Sequence, residues 1–280
     1  MIADLRGKTA VVTGAASGIG FALAERFVDE GMQVALADVE EPALVEAAAK
    51  LRAAGGNVLA EVTDVSDGDS VDRLARAVAN TFGPVQVLCN NAGVGAGGLV
   101  SELSTADWEW VLDVNLWGVI HGVRAFLPGM LASGEPGHVV NTASLAGLVS
   151  APFMAPYSAS KFAVVATSEA LFHELRMTGA KVGVSVLCPG WVNTNIHSSE
   201  RNRPARAGRQ GDMGVPDGRA EMLRQILQNG MPPAEVAQLV VDAVRTNRFY
   251  ILTHPEMTPA IEARMTAIVE GHDPSLTGQI

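Results

Sequence analysis

From its first residues this 280-residue chain alternates short β-branched runs with longer helical patterns. Thr9–Thr13 reads as a strand and residues 19–30 as an amphipathic helix. A strand over 33–37 is followed by a helix over 42–54, with Pro42 in its first turn and Gly55-Gly56 past its end. A third strand, 57–62, and a helix over 70–82 closed by Gly83-Pro84 complete the first half. The second half reads as strand 85–90, a long helical stretch from Asp107 towards Met130, strand 138–142, helix 157–177, strand 182–188 and a last strand near 249–252. Strands apolar on both faces and separated by helices require a parallel sheet covered on two sides. The alternation therefore predicts an α/β class chain, a doubly wound parallel sheet in one domain over 1–280. A closed eight-unit barrel is the competitor, but its phosphate site falls late in the chain.

Here the Gly-rich turn follows the first strand, which favours the open, Rossmann-like sheet. Thr13-Gly14-Ala15-Ala16-Ser17-Gly18-Ile19-Gly20 has the spacing G-x-x-x-G-x-G. Glycines there allow a tight turn and a close backbone approach to a pyrophosphate, and the helix that follows offers unpaired N–H groups to the anion. Gly14, Ser17, Gly18, Ile19 and Gly20 are the candidate phosphate cradle. Asp38 ends the second strand, where a carboxylate accepts hydrogen bonds from ribose hydroxyls and repels a 2′-phosphate. Ala15, Ala16, Ser17 and Val39 supply no cation to counter it, so the expected cofactor is NAD rather than NADP. Asp64 and Val65 are placed beside the adenine edge. Asn91, Ala92 and Gly93, in the turn after the fourth strand, face the same crevice.

Composition narrows the function classes. Twenty Lys+Arg against thirty Asp+Glu leave a formal charge of −10, the wrong sign for a protein that tracks phosphates, so no nucleic-acid partner is expected. Mean hydropathy is +0.21, yet no apolar stretch approaches the roughly 20 residues that cross a bilayer, and no membrane partner is expected. The N-terminal residues lack a signal-peptide pattern. Cys89 and Cys188, each in an apolar run, suit a reducing cytoplasm. No cluster has metal-ligand spacing, so no metal is expected; His173, between Glu169 and Met177 on one helix face, reads as packing or an oligomer face, and His197 stands alone.

Tyr157 and Lys161 stand at i and i+4 on one helix face. Ser144 lies just past the fifth strand, and Asn115 sits within the long helical stretch. With Thr13 to Gly20, Asp64, Asn90 to Gly93 and Pro189-Gly190 through Thr194, these residues resemble the compact, single-domain branch of the short-chain dehydrogenase/reductase family. Within it the chain is most similar to NAD-linked alcohol dehydrogenases acting on apolar or aromatic secondary alcohols. The resemblance implies an enzyme oxidising CH–OH groups, with Tyr157 as general acid/base and Lys161 assisting it and holding the nicotinamide ribose. It implies that Ser144 orients the substrate oxygen and Asn115 supports a water-linked proton relay. Pro189, Gly190, Val192 and Thr194 would lie against the nicotinamide. It also implies a homotetramer (or homodimer) built on the helices around 107–130 and 157–177.

The stretch between Ser144 and Tyr157 carries no charge. Leu145, Phe153 and Met154, with Trp191, are therefore expected to wall an apolar alcohol or ketone substrate. Residues 195–218 are polar, rich in Gly and Pro, and hold Arg201, Arg203, Arg206 and Arg209, with Arg219 just beyond. This segment is expected to be a substrate lid with solvent-facing arginines, the alternative being a passive surface loop. Two rival functions remain at this level. A nucleotide-sugar epimerase or dehydratase generally needs a longer C-terminal substrate region than follows residue 252. A non-catalytic dinucleotide sensor would be favoured by loss of the tyrosine or lysine, and both are present.

Overall fold

The computed structural model describes residues 2–205, 208 and 219–274. Its strands are β1 (Thr9–Thr13), β2 (Gln33–Asp38), β3 (Asn57–Val62), β4 (Val87–Asn90), β5 (Gly137–Thr142), β6 (Val182–Cys188) and β7 (Tyr250–Leu252). They form one sheet in the order β3-β2-β1-β4-β5-β6-β7, and every pairing is parallel. The order reverses between β1 and β4, so connections leave the C-terminal ends of those strands in opposite directions and open a crevice there.

Nine helices are described: α1 (Gly18–Asp29), α2 (Glu41–Ala53), α3 (Gly68–Phe82), α4 (Thr105–Leu112), α5 (Gly118–Ala132), α6 (Ala155–Met177), α7 (Arg219–Gln228), α8 (Pro233–Thr246) and α9 (Thr258–Glu270). Side chains alternate across each strand, so consecutive residues feed opposite layers. Val12 packs with Leu23 and Phe27 of α1 and Val240 and Val244 of α8. Its neighbour Val11 points the other way, to Leu74 and Val78 of α3 and Phe126 of α5. Burial of β1 and β4 on both faces is why their sequences are unbroken apolar runs.

Two departures from the sequence expectation matter below. The long helical stretch is not one helix: a π turn, Asp113–Trp117, separates α4 from α5, closed by the Gly118 N–H donating to the Asp113 carbonyl. The chain after residue 252 also continues into α9, which has no buried residue. Periodicity could not announce a helix that buries no face. By contrast α8 buries Val236, Ala237, Val240, Val241 and Val244, a legible helical repeat that the sequence reading passed over. Among the described residues no helix is long and apolar enough to cross a membrane.

Beneath the sheet's interior His138 of β5 is fully buried. Ser185 Oγ donates to the Arg248 carbonyl at 2.6 Å, so its one proton is spent and His138 must donate Nε2–H to it across 2.7 Å. His138 Nδ1 then has no partner among the described residues, and burial pushes the imidazole pKa down to about 3. The unfolded chain protonates near pH ~6.5. Between the two values it binds the additional proton, so stability rises with pH there and is lost on acidification, by up to about 1.4 kcal/mol per pH unit. His138→Gln should therefore flatten the acid limb of urea-unfolding stability between these values. Equal limbs in the two proteins would reject this origin.

Candidate active site

The turn from β1 to α1 forms a cradle at the crevice. Ser17 is the N-cap of α1 but its side chain caps nothing, and the first turn carries no acidic residue. The helix therefore keeps N–H groups and its positive end for an external anion. Gly14 takes φ +65° and Gly18 φ +55°, conformations that L side chains resist. A Cβ at Gly20 would stand 2.0 Å from the Gly14 carbonyl oxygen, and one at Gly14 would stand 2.8 Å from Ala92 Cα. Thr13 Oγ1 accepts the Asn91 and Ala92 N–H groups at 2.9 and 3.0 Å, and Asn91 Nδ2 donates to the Thr13 carbonyl. The β4 turn is thus stitched to the end of β1. Backbone packed too closely for side chains at Gly14 and Gly20, with unspent N–H donors at the start of α1 lining the crevice, suits a dinucleotide's pyrophosphate.

At the end of β2, Asp38 accepts the Ala16 N–H at 2.9 Å and the Glu40 N–H at 3.0 Å. These bonds fix its carboxylate at the rim of a crevice of ≈ 240 Å³ that also meets Thr63, Asp64 and Val65. Every residue expected to hold cofactor, from Gly14 to Thr194, lines this crevice. One expectation is corrected here: a cation does come to the Asp38 end. Arg201, from a 3-10 segment Ile196–Asn202 that leaves β6 and crosses the crevice, pairs with Glu40 at 2.8 Å. The two positions lie 161 residues apart in sequence, so no local pattern could pair them.

Ser144 caps the 3-10 turn Leu145–Gly147, accepting the Ala146 N–H; its hydroxyl lies 3.4 Å from the Pro189 carbonyl, to which it donates, and within hydrogen-bonding reach of the Tyr157 phenol. Tyr157 and Lys161 stand one turn apart on α6, the Lys161 ammonium lying 5.6 Å from the centre of the Tyr157 ring. Lys161 Nζ donates to the Thr142 carbonyl at 3.0 Å. Burial raises the phenol pKa above its ordinary value, and the Ser144 hydroxyl offsets part of that rise. Burial also lowers the Lys161 ammonium, to about 8. In the free protein, desolvation thus outweighs what would favour the phenolate.

Asn115 occupies the π turn, and its side chain is spent on structure. Oδ1 accepts the Val94 N–H at 2.8 Å, while Nδ2 donates to the Val94 carbonyl and to Ser160 Oγ, each at 3.0 Å. Ser160 Oγ in turn donates to the Tyr157 carbonyl. Asn115 therefore ties the strand after β4 to the turn of α6 that carries Tyr157.

A second cavity, ≈ 330 Å³, adjoins the first, and Ser144 and Tyr157 line both. Leu145, Phe153, Met154 and Trp191 all line it, with Val149, Ile196, Leu227 and Met257. Phe153 holds φ +66°, a left-handed conformation costly for an aromatic residue and found mostly where a site requires it. His197 and Glu200 from the crossing segment also reach this wall, so the cavity is less uniformly apolar than the 145–156 stretch indicated. His197 and Glu200 lie in the expected lid and Glu40 beside Asp38, but no individual role was legible for them; Trp110, Leu227 and Met257 reach the cavities from elements distant in sequence.

Of the expected lid, 195–205 and 208 are described, and 206, 207 and 209–218, with Arg206 and Arg209, lie outside the described residues. Of the two arginines whose side chains are described, Arg201 is partly solvent-facing as expected, 38% exposed, and Arg203 is not. Arg203 is 3% exposed and pairs with Asp107, itself 5% exposed, while its guanidinium stacks over Trp110 at 5.0 Å. Arg201 is taken up by Glu40. The start of the segment is thus a strap fastened on both sides of the crevice. No group of three or more potential metal-ligating side chains occurs among the described residues.

The chain is similar to known proteins in sequence and fold. A family model described as short chain dehydrogenase matches residues 8–205. The chain is 36% identical to a CLA biosynthesis dehydrogenase/reductase of Lactiplantibacillus plantarum, covering 98% of this chain and 97% of that protein. It is 35% identical to a C alpha-dehydrogenase of Sphingobium sp., covering 97% and 88%. A crystal structure of a short chain dehydrogenase/reductase from Burkholderia phymatum in complex with NAD superposes with a TM-score of 0.95 at 44% identity, covering 99% of both chains.

Proposed function

We propose that this chain, which belongs to the short-chain dehydrogenase family, is an NAD-dependent oxidoreductase interconverting a secondary alcohol and its ketone, with an apolar or aromatic substrate body. The observation that carries this reading is that Ser144 and Tyr157 stand where a dinucleotide-shaped crevice meets a mainly apolar cavity. Gly14, Ser17, Gly18, Ile19 and Gly20 would hold the pyrophosphate, Asp38 the adenosine ribose, and Asp64 and Val65 the adenine edge. Asn91, Ala92, Gly93, Pro189, Gly190, Val192 and Thr194 would enclose the nicotinamide half. Bound NAD would supply the hydride acceptor or donor, and in its oxidised form a positive ring charge.

The protein's part is positioning and proton transfer. A carbonyl oxygen seated between Ser144 and Tyr157 would accept hydrogen bonds from both hydroxyls, which stabilise negative charge as it develops there. Tyr157, protonated in the free protein, gives its proton to that oxygen during reduction; in oxidation the phenolate takes it from the alcohol. Lys161, cationic below about pH 8, stabilises the phenolate from one helical turn away. Asn115 keeps the Tyr157 turn in register through Ser160. The strap beginning at residue 195 acts as the lid over both cavities. Trp117, Leu131 and Met177 are 46%, 43% and 86% exposed on the helical regions expected to join subunits, which supports a homotetramer or homodimer; the two free cysteines, Cys89 and Cys188, are in keeping with a cytoplasmic location.

A panel of secondary alcohols and ketones graded in apolar size, followed by NADH absorbance, tests the reaction. Turnover should rise with aromatic or branched apolar bulk, and NADH should bind at least about tenfold tighter than NADPH, a difference of about 1.4 kcal/mol. No redox turnover across the panel rejects the reaction, and equal or tighter NADPH binding rejects the cofactor assignment.

A further inference from the structure

The Arg201–Glu40 contact has a geometry that bears on cofactor choice. Glu40 follows Asp38 by two residues and donates its N–H to the Asp38 carboxylate, so the two acidic side chains share one rim of the crevice. The guanidinium of Arg201 turns its Nε/Nη2 edge wholly to Glu40. Nε donates to Oε1 at 3.1 Å and Oε2 at 3.2 Å, and Nη2 donates to Oε1 at 2.8 Å. Asn202 Nδ2 adds a donation to Oε1 at 2.8 Å. The pairing holds the Glu40 carboxyl below the usual carboxylate range. Arg201 has a second anchor: Nη1 donates to the Asn195 and Ser198 carbonyls and to Ser198 Oγ, at 3.2, 2.9 and 3.0 Å.

These contacts divide the guanidinium into a part that fixes its position and a part that binds an anion. The backbone carbonyls of the strap fix the guanidinium to the strap independently of Glu40, and Arg203–Asp107 remains as the strap's other fastening at the crevice. The planar two-donor edge is the one that grips carboxylate or phosphate oxygens, and here Glu40 occupies it.

Resting on the cofactor reading above, we propose that Glu40 is a specificity-determining residue: by engaging the Arg201 edge it denies a 2′-phosphate the cation that would bind it. Asp38 then acts as the direct repellent and Glu40 as the decoy. A chain with Asp38 but without Glu40 would discriminate less, because Arg201 would stand ready beside the ribose position.

Direct titration of NADH and NADPH, by nicotinamide fluorescence or calorimetry without substrate, tests this. In Glu40→Gln the amide oxygen still accepts from Asn202, but the carboxylate charge and its second acceptor oxygen are lost, so a 2′-phosphate can displace the amide from the Arg201 edge. The NADPH-to-NADH affinity ratio should rise at least tenfold over wild type. In the double variant Glu40→Gln/Arg201→Gln it should fall back to within threefold of wild type. An unchanged ratio in Glu40→Gln, or a gain that persists in the double variant, overturns the decoy role while the wild-type NADH preference stands. A wild-type protein that binds NADPH as tightly as NADH overturns the cofactor reading and this inference with it.

Discussion

Tyr157→Phe is expected to lower turnover by about 10³-fold or more, within the range that a positioned acid/base contributes, while NADH still binds within a few-fold of wild type. The substitution removes only the oxygen that faces Ser144; the ring that carries the Lys161 cation at 5.6 Å remains. Lys161→Ala should damage both quantities, because that ammonium lines the crevice and also supports the phenol. Single-turnover kinetics with the best ketone, beside NADH fluorescence titration, separates the two effects. Retention of more than a tenth of wild-type turnover in Tyr157→Phe would move the acid/base role to another group. The direction of the pH profile follows from the same phenol. Its pKa is raised, so the proton donor for reduction is present throughout the neutral range. Oxidation requires the phenolate, so its rate should climb with pH where the reduction rate does not.

The fold was legible because its information is local. The central strands β1 and β4 are buried on both faces and therefore dominated by apolar residues, β5 and β6 are interrupted only by the buried His138, Asn141 and Ser185, and the connections fold into helices with one apolar face. The cradle was legible for the same reason: Gly14, Ser17, Gly18 and Gly20 lie in one turn, and the left-handed φ of Gly14 and Gly18 leaves a mark in the sequence. Tyr157 and Lys161 are one helical turn apart, and Ser144 follows a strand end. What escaped was set by tertiary contacts. The π turn at Asn115 has no periodicity of its own; it coincides with a side chain bonded to Val94 and Ser160 instead of facing solvent. Helix α9 buries no face, so its composition carried no pattern. The arginines of the strap were read as solvent-facing because charge in a Gly- and Pro-rich segment usually is. Their partners, Glu40 and Asp107, stand on elements far away in sequence, and a polar segment gives no sign of which of its charges will be buried.

Arg203 shows what that burial is worth. Asp107 begins its structural work locally, in a capping box at the start of α4. Ser104 Oγ accepts the Asp107 N–H, and the Asp107 carboxylate accepts the Ser104 N–H at 2.7 Å. That arrangement directs the other carboxylate oxygen at Arg203, which donates to it from Nη2. Nε of Arg203 also donates to the Gly208 carbonyl at 2.7 Å, and the guanidinium covers Trp110, a residue of the crevice wall. Both side chains are almost wholly out of water, so deleting Arg203 strands Asp107, whereas Arg203 also has Glu200 at 3.2 Å. Arg203→Ala should destabilise the protein by about 3 kcal/mol, the lower end for breaking a buried pair, because a loosened strap lets water reach Asp107. Asp107→Asn should cost less, since the amide oxygen still accepts from Arg203 and only the charge is lost. The strap should also register the change. In Arg203→Ala, hydrogen exchange over residues 195–205 should quicken relative to wild type, and added NADH should slow it less, because one of the two fastenings across the crevice is gone while Arg201–Glu40 remains. Urea unfolding and exchange on the same samples decide the matter: a loss under 1 kcal/mol with unchanged exchange would mean that the pair is not what holds the strap closed.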